Sequence, residues 1–125
     1  MRIIKLWLPP LLWAGLIFYL SDLPSLQTGL GFWDIILRKG AHIFEYGVLT
    51  LFLFRAFRSS TLWNKDRISF WSGLCGVLYA FSDEIHQAFV PGRGPALSDV
   101  GIDTLGVILA LWWLNKKVNQ VNRVN

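Results

Sequence analysis

Apolar and polar positions divide the chain into four long apolar runs separated by short polar breaks. A helix that crosses a bilayer needs roughly 20 mostly apolar residues. Stretches at about 3–20, 32–57, 68–90 and 98–115 approach that length. Pro9 and Pro10 predict a kink in the first, which lipid tolerates where neighbouring groups satisfy the freed carbonyls. Arg2 and Lys5 give this run the basic start of a signal peptide, but it is long and no small-x-small cleavage site follows. It therefore reads as a retained span. The second run is polar in its first half, the third at its C-terminal end, and the fourth carries Asp99 and Asp103. The pattern predicts an all-α fold: one domain over residues 1–125, built as a transmembrane four-helix bundle. Residues 116–125 read as a cytoplasmic tail and a frayed helix end.

Composition strengthens the membrane reading. Hydrophobic residues make up 54% of 125, and the mean hydropathy is +0.44. A soluble domain of this size has too small an interior to hide so much apolar surface. The basic residues then set an orientation. Arg2, Lys5, Arg55, Arg58, Lys65, Arg67, Lys116, Lys117 and Arg123 fall on one side of such a bundle, nine of the 12 Lys and Arg. Arg38, Lys39 and Arg93 fall on the other, with every acid except Asp66. Both termini are thus expected in the cytoplasm of a bacterial cell, with the protein multi-pass in its inner (plasma) membrane. The net charge of +4 does not point to nucleic acid, because the cations lie in short clusters between apolar runs. Cys75 stands alone, which excludes an intrachain disulfide and a zinc-ligand spacing.

The polar residues inside the spans carry the candidate chemistry. Ionisable groups at membrane depth are expensive and turn towards a bundle interior or a wet cavity. In RKGAHIFEY, Arg38, His42 and Glu45 stand at i, i+4 and i+7, on one helical face. In SDEIHQ, Asp83 shares a face with His86 and Gln87, while Glu84 points about 100° away. Asp99 and Asp103 stand at i and i+4, with Gly106 continuing the line. Three stripes at the outer ends of three helices predict a polar pocket at the outer leaflet. Arg38, Lys39 and Arg93 are its available counter-charges. The break VPGRGPALSD predicts a tight turn through Pro91, Gly92, Gly94 and Pro95, with Arg93 at its tip as a phosphate clamp.

These motifs resemble the VanZ-like family of small bacterial membrane proteins. The family pattern K-x-x-H-x-x-E/x-Y-x-x-L falls on Lys39, His42, Glu45, Tyr46 and Leu49. It continues on Asp83, Glu84, Gln87, Pro91, Gly92 and Arg93, then on Asp99, Asp103 and Gly106. IFYLSDLPS resembles the family's F-x-x-S-x-x-P. At position 103 the family usually has Asn, so the aspartate here adds a charge. The resemblance implies a multi-pass membrane protein of a type named for teicoplanin resistance. It also implies phosphoester chemistry on lipids or lipid-linked sugars, since the family has been grouped with head-group enzymes such as phosphatidylserine synthases.

Two functions fit. In the first, an enzyme acts on the phosphate-containing head group of a membrane lipid or lipid-linked envelope intermediate. Arg93 and Arg38, with Lys39 and Glu84 beside them, hold the ligand and its phosphate. His42 is general base or nucleophile, oriented by Glu45 or by Asp83, which Gln87 accompanies. Asp99 and Asp103 position an acceptor or bind a metal. In the second, the same pocket binds an anionic head group or a glycopeptide without turnover. A transporter fits less well, because the four short spans show no inverted repeat. A purely structural role, in which the polar groups pair to fix helix register, is the bland alternative. A divalent metal could be held by His42 and Glu45 with the aspartates, but side chains from separate helices leave the ligand set open. Tyr79 could line the pocket floor, and Tyr46 reads as packing. Bare apolar flanks permit a homo-oligomer, and no nucleic-acid partner is expected.

Overall fold

The computed structural model describes residues 1–23, 29, 31–92, 94 and 96–125. Four helices account for most of them: α1 (Arg2–Asp22), α2 (Phe32–Ser60), α3 (Lys65–Ala88) and α4 (Leu97–Val124). α1 runs unbroken through Pro9 and Pro10. The side chain of Asn64 caps α3 by accepting the Arg67 N–H at 2.9 Å, satisfying one of the first-turn donors that a helix leaves unpaired. α4 runs nine residues further than the apolar pattern, to Val124. Its polar end is held against α3 by Lys65 Nζ donating to Asn119 Oδ1 at 2.8 Å and by Ser69 Oγ donating to Asn115 Oδ1 at 3.3 Å.

α2 is central. It packs on α1, α3 and α4, and among the described residues α1 and α4 do not meet. Small residues set the spacing. A Cβ on Gly106 of α4 would run into the Ile43 backbone of α2, and one on Gly47 would sit 3.5 Å from the Gly106 carbonyl oxygen. On α3, Gly73 and Gly76 lie against Leu111 and Val107 of α4. Ile17, Tyr46, Leu49, Ala80, Val100 and Val107 form the buried core, one or more from each helix. Trp13 Nε1 donates to the Glu45 carbonyl at 2.8 Å, and Tyr79 hydroxyl to the Ala14 carbonyl at 2.5 Å, tying α1 to α2 and α3.

The outward faces are apolar. Leu12 and Phe18 of α1, Phe44 of α2, Phe70 and Leu78 of α3, and Ile108 and Trp112 of α4 are all exposed. In water each large side chain left out in this way forgoes about 1.5–3 kcal/mol. By length and apolarity, α1 and α4 can cross a membrane. α2 and α3 have the length, and they fall short because Arg38, Lys39, Glu45, Asp83 and Glu84 interrupt them.

The start of α1, the α2–α3 connection and the end of α4 share one end of the assembly. Trp7 meets Phe57 edge-on at 5.0 Å there, and Lys65 meets Asn119. The polar residues of the candidate site gather at the other end.

Candidate functional site

Two polar clusters form at that end, both built on α2. In the first, α2 and α4 come close enough at Gly47 and Gly106 for side chains one turn away to meet. His42 Nδ1 lies 3.0 Å from Asp103 Oδ1. Asp103 is 2% exposed and the His42 side chain 15%, so the pair is largely withdrawn from solvent. The contact fixes the ring orientation and leaves Nε2 as the nitrogen for other work. Beside it opens a cleft of about 310 Å³, lined by Ile35, Arg38, Lys39, His42, Asp99 and Ile102. Among the described residues neither Arg38 nor Lys39 forms an ion pair.

The second cluster lies between α1, α2 and α3, around Asp83, which is 3% exposed. Its Oδ2 accepts from Ser21 Oγ at 2.8 Å, from the Tyr46 hydroxyl at 3.1 Å and from Gln87 Nε2 at 3.3 Å. Gln87 Nε2 also lies 3.4 Å from Ser21 Oγ. Asp83 Oδ1 is buried without a hydrogen-bond partner among the described residues. Three neutral donors on one oxygen offset part of the cost of burying a carboxylate.

The structure thus brings His42, Asp103, Asp99, Arg38 and Lys39 to one cleft and Asp83 and Gln87 to a neighbouring buried cluster. Asp103, rather than Glu45 or Asp83, orients His42. Glu45 is half-buried and does not line the cleft; its backbone carbonyl receives Trp13. Glu84 turns to the start of α4, where Oε1 accepts the Ala96 N–H. That satisfies a donor no helical carbonyl can reach. His86 packs its ring on Phe18 at 4.2 Å, and its Nε2 lies 3.2 Å from Asp22 Oδ1, an ion-pair distance without hydrogen-bond geometry. The Tyr79 hydroxyl donates to the Ala14 carbonyl of α1. Arg93 and Pro95, and Pro24 and Ser25 of the IFYLSDLPS stretch, lie outside the described residues.

Ser21 and Tyr46 belong to the quoted motifs, but sequence reasoning gave neither a role in the site. Ser21 was visible as the serine of IFYLSDLPS, a hydroxyl at the end of an apolar helix. Tyr46 stands one turn after His42, on the face that meets α3, and is completely buried. Among the described residues no three His, Cys, Asp or Glu side chains converge as metal ligands.

Four helices with apolar outer faces, two of them both long and apolar enough to span, and a cleft lined by cations and a histidine define a small all-helical protein that fits a membrane. The VanZ/LLP1 family model matches residues 6–116, and the chain belongs to that family. No curated protein and no solved structure matches it.

Proposed function

We propose that this is a single-domain, multi-pass protein of the bacterial inner membrane whose polar end faces outward and acts on the phosphate-containing head group of a lipid or lipid-linked envelope intermediate. All four helices span, and both termini are cytoplasmic. The observation that carries the reading is the cleft between α2 and α4, where Arg38 and Lys39 have no acidic partner among the described residues and His42 is oriented by Asp103. Two cations suit a phosphate diester and the charge that develops on it. His42 Nε2 takes the proton of an attacking hydroxyl as its oxygen bonds to phosphorus. The P–O bond to the head group breaks, the departing alkoxide takes a proton from water at the outward-facing cleft, and His42 returns its own proton to solvent. Asp99 holds the acceptor. Arg93, next in the chain to Gly92 of the α3–α4 turn, is a further phosphate ligand.

The test is a comparison of radiolabelled lipid in proteoliposomes made from the organism's own extract, with wild type and with His42→Ala. Wild type is expected to change the head-group profile and His42→Ala to lower that rate by about 100-fold or more. Lipid that binds saturably but is never converted replaces catalysis with simple head-group binding. No binding and no turnover by wild type refutes both.

A further inference from the structure

One face of α4 carries chemistry that the cleft does not use. Leu105, Ile108 and Leu109 are exposed on it. Trp112 and Trp113 follow, 61% and 47% exposed. Lys116 and Lys117 come one turn later, and Gln120 closes the row. Steps of three and four residues keep them on one stripe. Asn115 and Asn119, on the edge of this face nearest α3, bond to Ser69 and Lys65. The Lys116 ammonium sits 5.2 Å from the Trp112 ring centre and the Lys117 ammonium 5.7 Å from that of Trp113. The two rings, the two ammonium groups and Gln120 line a groove of about 240 Å³.

Along the helix the stripe changes from alkyl to aromatic to cationic. A phospholipid in one leaflet changes in the same order, from acyl chain through ester carbonyls to phosphate. Leu105 to Lys117 covers roughly 18 Å at the rise of an α-helix. Half a hydrocarbon core is roughly 15 Å. Indole rings favour the level between chain and head group. The surrounding charge selects the sign of the occupant: Arg2, Lys5, Arg55, Arg58, Lys65 and Arg67 share this end, and Asp66 is its one acidic side chain.

We propose that the stripe is a seat for one anionic phospholipid of the leaflet at the basic end. Its phosphate lies between Lys116 and Lys117, the Gln120 amide donates to it, and an acyl chain lies along Leu109 and Leu105. The seat rests on the reading that the helices span a bilayer. It does not rest on the His42 cleft, which is at the opposite end.

The test uses the full chain in a neutral detergent, mixed with phosphatidylglycerol or with phosphatidylcholine, with bound lipids resolved by native mass spectrometry. One phosphatidylglycerol is expected to bind in preference. The double substitution Lys116→Gln/Lys117→Gln weakens it roughly 30-fold. Lys116→Arg/Lys117→Arg retains it within a few-fold. Arg55→Gln/Arg58→Gln removes the same charge from the same end and leaves it unchanged. Equal weakening by both glutamine pairs, or equal affinity for the two lipids, overturns the seat. Lys116 and Lys117 are exposed, so unchanged helical circular dichroism is expected of their variants. Release of wild type from membranes by alkaline carbonate rejects the spanning reading, whereas retention with no lipid preference rejects the seat alone.

Discussion

Gly106→Ala tests whether the α2–α4 contact builds the site. The added Cβ would stand 3.1 Å from both Cα and the carbonyl carbon of Ile43, and closer still to the oxygen. All three are backbone atoms, so no side chain can swing away. Restoring ordinary contact requires the helices to part by roughly 0.5–1 Å. His42 adjoins Ile43, and Asp103 lies one turn from Gly106. The same movement therefore stretches the 3.0 Å contact between His42 and Asp103 past hydrogen-bond range. Alanine itself favours a helix over glycine by about 1 kcal/mol. Overpacking costs about 1–3 kcal/mol. Loss of a hydrogen bond to a buried carboxylate costs about 1.5–3 kcal/mol. The net expectation is a loss of about 1.5–5 kcal/mol. Gly101→Ala is the control, because a Cβ there meets nothing within 4 Å. It should be neutral or gain about 0.5–1 kcal/mol. Thermal unfolding in detergent, followed by helical circular dichroism, reads both, and lipid turnover reads the site. Wild-type stability and turnover in Gly106→Ala would falsify the claim that backbone contact positions His42.

The remaining predictions concern single groups. Asp103→Asn keeps an acceptor for the His42 Nδ1–H, so turnover should stay within about 10-fold of wild type, while Asp103→Ala should lose about 100-fold; similar rates in both variants refute the orienting role. Tyr46→Phe and Ser21→Ala each withdraw a donor from Asp83 Oδ2, and each should cost about 1–3 kcal/mol in the same unfolding assay. Glu84→Ala leaves the Ala96 N–H without its acceptor and should cost about 1–2 kcal/mol, with no change in lipid affinity. A C-terminal alkaline phosphatase fusion should be inactive and a C-terminal green fluorescent protein fusion bright; the reverse pattern inverts the proposed topology.

Much of the architecture could be read from the chain because apolar run length and helix length are nearly the same quantity. Four runs became four helices, and α4 continues through the residues that read as a frayed helix end. Hydropathy gave no reason to extend α4 past Asn115, because its last turns are polar. Partners on α3 hold the first of those turns: Asn115 and Asn119 meet Ser69 and Lys65. The site was legible to the level of helical faces. Arg38 and His42 share a face by spacing alone, as do Asp83 and Gln87, and both pairs lie together in space. What spacing could not supply was which helix each face meets. The partner of His42 depends on Gly47 and Gly106 bringing α4 within reach. Nothing in the local pattern distinguishes Asp103 from Glu45 for that role. Tyr46 was read as packing because an aromatic residue on an apolar helix most often is, and its hydroxyl acquires a function only when α3 brings Asp83 to it.

The two clusters differ in what helix register alone can explain. Among the described residues, the groups that hydrogen-bond Asp83 are all neutral, and each comes from a defined position on α1, α2 or α3. A slip of one residue in any of them strands a buried carboxylate, so the cluster selects one packing of three helices and needs no ligand to account for it. The Asp83 Oδ1 atom is the one part that this explanation leaves over. The cleft is different. Register is already fixed there by glycine contacts between backbones, and Arg38 and Lys39 contribute no ion pair among the described residues. Two cations without an ion pair among the described residues, lining an open cleft beside an oriented histidine, are unexplained by packing. That charge, without an ion pair among the described residues, is the feature on which the proposed anionic ligand rests.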